Sequence, residues 1–84
     1  MTRKELVEKI ENVFDMVITV SGRMFRIRRD EDDCLIIAER SRKESIKHYS
    51  DTYDMISRYK IDGKPLRDYA EAIRIVKYTA LLDA

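Results

Sequence analysis

From Met24 to Arg29 the chain alternates: Phe25 and Ile27 project to one side, Arg26 and Arg28 to the other. A period of two belongs to a strand with one apolar and one wet face, and it excludes a helix across these residues. Asp30-Glu31-Asp32-Asp33 follows without one apolar side chain and cannot lie inside a sheet. Cys34-Leu35-Ile36-Ile37-Ala38 then resumes an apolar run. Two strand-like segments around four acids read as a β-hairpin with an acidic tip.

The flanks extend this unit. Met16-Val17-Ile18-Thr19-Val20 is rich in β-branched residues and runs into the turn signal Ser21-Gly22-Arg23. Strands are therefore expected at Met16–Ser21, Met24–Arg29 and Cys34–Glu39. Ahead of them, Thr2-Arg3-Lys4-Glu5 fits a capping box, and Leu6, Val7, Ile10, Val13 and Phe14 recur at helical spacing. Beyond them, Ser41-Arg42-Lys43-Glu44 fits a second box, and the spacing of Ile46, Tyr49, Tyr53 and Ile56 favours a helix. The alternative pairs Ser45–Tyr49 as a fourth strand and lets Asp51 cap a shorter helix. Ile61-Asp62-Gly63-Lys64-Pro65 breaks the chain, with Gly63 suited to a positive φ and Pro65 to a first helical turn. Leu66, Tyr69, Ala70, Ile73, Val76, Ala80 and Leu81 then mark one face of an expected final helix. The predicted fold class is α+β, a single domain over residues 1–84. One helix precedes a three-stranded antiparallel β-meander, and two C-terminal helices pack on one sheet face.

Composition removes several functional classes. The chain has 84 residues, 44% of them hydrophobic, enough to close one small core. No stretch approaches the ~20 apolar residues of a membrane span. Met1-Thr2-Arg3-Lys4-Glu5 leads into an amphipathic segment with no secretory signal visible, so a cytoplasmic location without membrane partners is expected. One cysteine, Cys34, excludes an internal disulfide, and one histidine, His48, weakens histidine-based catalysis. Cys34 reads as a buried, inert thiol and His48 as a solvated surface residue. Gly22 and Gly63 are isolated, so there is no phosphate-binding glycine loop. The acidic tip lacks the glycine and terminal glutamate of an EF-hand. No enzyme activity, metal or cofactor is expected.

What remains is charge pattern. Seventeen Lys and Arg against sixteen Asp and Glu give a formal net charge of only +1. Locally the balance fails, because Arg23, Arg26, Arg28 and Arg29 run straight into Asp30, Glu31, Asp32 and Asp33. Arginines on a small sheet discourage edge-to-edge pairing. Four consecutive acids repel one another, which makes the tip a candidate for meeting cations on a protein partner.

The order of these segments resembles the small phage anti-CRISPR proteins that mimic the DNA motif read by type II CRISPR nucleases. The resemblance rests on Asp15 at the end of the first helix and on the tip Asp30-Glu31-Asp32-Asp33. It continues through the strand Leu35-Ile36-Ile37-Ala38-Glu39 and the helix entry Glu44-Ser45-Ile46. It implies a non-enzymatic inhibitor in a bacterial host cell that binds a CRISPR nuclease with its guide RNA. Asp15, Asp30, Glu31, Asp32 and Asp33 would then compete for arginines that read guanine. This chain departs from the family in being charge-balanced, with Arg58, Lys60 and Lys64 around Asp62 between the last two elements.

Two other readings come from the residues alone. A β-ribbon nucleic-acid binder or regulatory protein would use Arg23, Arg26 and Arg28, supported by Arg40, Arg42, Lys43 and Lys47. An orphan domain would form a homodimer through its tyrosine-bearing C-terminal half.

Overall fold

In the computed structural model, which describes residues 1–84, helix α1 (Arg3–Glu11) starts at the expected capping box. Thr2 Oγ1 accepts from the Glu5 amide at 3.1 Å, and Glu5 Oε1 accepts from the Thr2 amide at 3.0 Å. Strands β1 (Val13–Val20), β2 (Arg23–Arg29) and β3 (Leu35–Glu39) follow as an antiparallel meander. The β1–β2 loop has two residues, Ser21 and Gly22, both at positive φ (52° and 76°). That is the hairpin turn whose twist matches right-twisted strands.

The rest of the expected layout is overturned. Ser41–Tyr59 is not one helix but a 3₁₀ turn at Lys43–Ser45, a short strand β4 (Lys47–Tyr49) and helix α2 (Thr52–Arg58). Asp51 caps α2 by accepting the Asp54 amide at 2.8 Å, and β4 pairs with the free edge of β3. Strands β5 (Lys60–Ile61) and β6 (Lys64–Pro65) form a minimal hairpin around Asp62 and Gly63, again both at positive φ. The expected final helix is a 3₁₀ segment, Leu66–Ala72, followed by strand β7 (Arg74–Ala80) along the free edge of β1. The result is a five-stranded antiparallel sheet in the order β4-β3-β2-β1-β7. The β-branched run Ile73–Thr79 carries the strand signal, and pairing with β1 decides it.

Helices α1 and α2 and the 3₁₀ segment pack on one side of this sheet. Leu6 and Ile10, Met55 and Ile56, and Leu66 and Ala70 meet Met16, Ile18, Phe25, Ile27, Leu35 and Ile37 in one core. Cys34 lies in the loop before β3 and is half-buried, not enclosed as expected.

One arginine joins the two layers. Arg29 alternates onto the helical side of β2, and its side chain is only 11% exposed. Its Nη2 donates to the carbonyls of Ile10 (3.0 Å) and Glu11 (2.9 Å), and its Nε donates to Val13 O at 2.8 Å. These carbonyls close α1 and open β1, where the helix ladder supplies no donor and the dipole favours a cation. Replacing Arg29 by Met should cost about 2–4 kcal/mol in urea unfolding, the scale of several charged hydrogen bonds removed together. Arg28→Met, on the exposed side of the same strand, should stay within about 0.5 kcal/mol.

Candidate functional site

The acidic tip is a tightly built turn. Asp30 Oδ1 accepts from the amides of Asp32 (2.9 Å) and Cys34 (3.0 Å), and Asp30 N donates to Cys34 O at 3.0 Å. Asp33 takes a positive φ of 63°, with its carboxylate 3.5 Å from Arg29. Asp30 and Asp33 are thus engaged in shaping the loop, and Glu31 and Asp32 are left facing solvent. Asp15 is not part of this cluster, and it lies within β1, not at the end of the first helix as expected, because α1 stops at Glu11. It sits on the face of the sheet away from the helices, where Arg26 grips it with two bonds of 3.0 and 2.5 Å.

That uncovered face holds most of the remaining candidates. Strand register aligns Asp15 with Arg28 and Thr79, and Val17 with Arg26 and Lys77. Across the next pairs, Arg28 faces Ile36 and Arg26 faces Ala38, while Ile36 faces the exposed His48 of β4. Thr19 lies between Met24 and Arg74, and the Arg40 amide bonds to Met24 O at 2.8 Å. Arg26, Arg28, Arg40, Arg74 and Lys77 therefore share one face with a single carboxylate, Asp15. Among them Phe14 (43% exposed) and Val76 (57% exposed) border a hollow of about 580 Å³ with Val17, Met24 and Ala38.

The other basic candidates lie elsewhere. Arg23 projects to the helical side, where its guanidinium bonds Glu39 at 2.8 and 2.6 Å and Asp62 at 2.9 Å. These partners hold its pKa up and occupy three of its five N–H donors. Arg42 is held between Glu39 (3.6 Å) and Glu44 (3.2 Å). Lys43 is exposed in the 3₁₀ turn beside it. Sequence reasoning missed Arg74, Lys77, Phe14 and Val76. The apolar spacing through residues 73–81 reads as helix, and Phe14 falls at helical spacing from α1 although it already belongs to β1. The signal that could have found them is the β-branched run next to Tyr78.

No family model matches the chain, and no curated protein or solved structure is significantly similar to it. No helix is long and apolar enough to cross a membrane.

Electrostatics on the uncovered face follow from Asp15. The Arg26 hydrogen bonds hold its carboxyl below the usual range against the opposing effect of burial, with Lys77 and Arg28 adding to the depression. A carboxylate depressed by folding adds stability above its unfolded pKa of about 4, and that contribution is lost as pH falls through the lower folded value. Denaturant unfolding of the protein and of Asp15→Asn should therefore differ at pH 6 and converge towards pH 2. At the tip, Asp30→Ala removes two amide bonds and should cost about 1–2 kcal/mol. Glu31→Gln should be neutral within about 0.5 kcal/mol in the same assay.

Proposed function

We propose that this chain is a non-enzymatic binding module, working in the cytoplasm, that holds a nucleic acid against the uncovered face of its sheet. The observation that carries this reading is the gathering of Arg26, Arg28, Arg40, Arg74 and Lys77 on that face with only Asp15 to oppose them. The whole chain is nearly neutral, so the acids that balance these cations lie on other surfaces. A polyanion senses the local potential of the face it approaches, and affinity comes from counterions released as phosphates are neutralised. The face is a shallow sheet with apolar patches at Phe14, Val17, Met24 and Val76, not a protruding ribbon. Such a surface suits a single strand, whose bases can lie on apolar ground while Arg and Lys track the backbone.

The rival reading is a protein-binding inhibitor of the anti-CRISPR kind, working through the tip. Its support is that Glu31 and Asp32 are exposed on a loop already ordered by Asp30, so a partner's arginines would meet them at little ordering cost. A single experiment separates the two. Anisotropy of a labelled single-stranded oligonucleotide is followed against salt for the protein, for Arg26→Gln/Arg28→Gln/Lys77→Gln and for Glu31→Gln/Asp32→Asn. The sheet-face reading expects the triple variant to bind at least about tenfold more weakly. Its slope of log K against log salt should fall by about 0.7 for each phosphate no longer neutralised. The tip variant should bind normally. Absence of oligonucleotide binding at low salt, or an unchanged slope in the triple variant, would overturn it.

A further inference from the structure

On the helical side of the molecule, away from the basic sheet face, lies a second hollow of about 400 Å³. It opens where β4, the 3₁₀ turn at Lys43–Ser45, the end of α2 and β5 come together. Its floor is aromatic. Tyr59 is 6% exposed and meets Phe25 edge-to-face with ring centroids 6.2 Å apart, and Tyr49 forms one wall. Lys47 and Lys60 stand at the rim with no carboxylate within ion-pair range. Arg58 joins them, its one acidic neighbour being Asp54 at 3.6 Å. The two carboxylates of the lining are already taken, Glu39 by Arg23 and Glu44 by Arg42.

We infer that this hollow binds a small phosphate monoester carrying a flat ring. The uncommitted polar groups around it are cations and phenols, so it offers donors and almost no free acceptor. A monoester brings close to two negative charges and three acceptor oxygens at neutral pH, which answers the cations at the rim. Tyr49 and Tyr59 present phenol hydroxyls that can donate to the ester oxygens, and burial pushes both phenols further up. A ring attached to the ester would lie on the tyrosine wall, and the volume falls in the range of small-molecule sites. The site shares no residue with the five cations of the uncovered face, so it stands or falls apart from the nucleic-acid reading.

The test is titration of the isotope-labelled protein with inorganic phosphate, phenyl phosphate and adenosine 5′-monophosphate, followed by amide shifts. The expected result is saturable change centred on Ser45, Lys47, Tyr49, Tyr59 and Lys60, tighter for the two ring-bearing esters than for inorganic phosphate. Lys47→Gln/Arg58→Gln/Lys60→Gln should weaken it by at least about tenfold. Tyr59→Phe, which keeps the packed ring and removes the hydroxyl, should weaken it by about threefold to tenfold. Arg26→Gln/Lys77→Gln on the other face should leave it unchanged. Shifts confined to the uncovered sheet face, or shifts around the hollow that never saturate or that survive the triple variant, would overturn the inference.

Discussion

A cation placed among three backbone carbonyls holds this structure in register. Arg29 occupies a position on β2 that strand alternation would give to an aliphatic residue, and it reaches the last turn of α1 and the first residue of β1. With its side chain 11% exposed, the guanidinium is compensated by helix-end carbonyls more than by any single acid. Asp33 adds a weaker link at 3.5 Å, which ties the acidic tip to the same anchor. The helix, the central strand and the second hairpin therefore have one common reference point. Arg23 does the analogous work at the other end of β2, joining Glu39 of β3 to Asp62 of the small hairpin.

These two arginines explain why the charge pattern could not be read as one surface. In sequence Arg23, Arg26, Arg28 and Arg29 look like a single basic stem. Pleating sends Arg26 and Arg28 to the uncovered face and Arg23 and Arg29 inward, where they serve as internal ties. The acids divide in the same way: Asp30 and Asp33 are engaged by the loop, and Asp15 lies among cations on the other face. The uncovered face becomes basic because its cations outnumber its one acid, while the chain total stays near zero.

How much of this the residues announced depends on how regular each element is. The capping box of α1 and the alternation of Met24–Arg29 are local signals, and α1 and β2 appear where those signals lie. β1, by contrast, begins at Val13 and takes Val13 and Phe14 from the expected helix. The segment Lys47–Tyr49 is only three residues long and mostly exposed, so its strand character comes from pairing with β3 and not from its own pattern. β7 misleads for a sharper reason. A bulge between its pairings with Val17 and Ile18 inserts Val76, so the apolar residues no longer alternate. Ile73, Val76 and Ala80 then fall at intervals of three and four, which is the spacing of a helix. The same irregularity hides Arg74 and Lys77, and with them the β7 share of the basic face.

The placement of β7 has a consequence for how the chain is made. β1 is complete once Val20 has been synthesised, yet its outer edge is covered only by residues 74–80. During the whole interval between, a nascent chain carries an unpaired edge along Val13–Val20, one of the most apolar segments it has. Edges of that kind recruit other strands. Folding on the ribosome thus leaves a window of vulnerability that closes only when the last strand emerges. Arrested or truncated products ending before Arg74 would be the species most prone to aggregate.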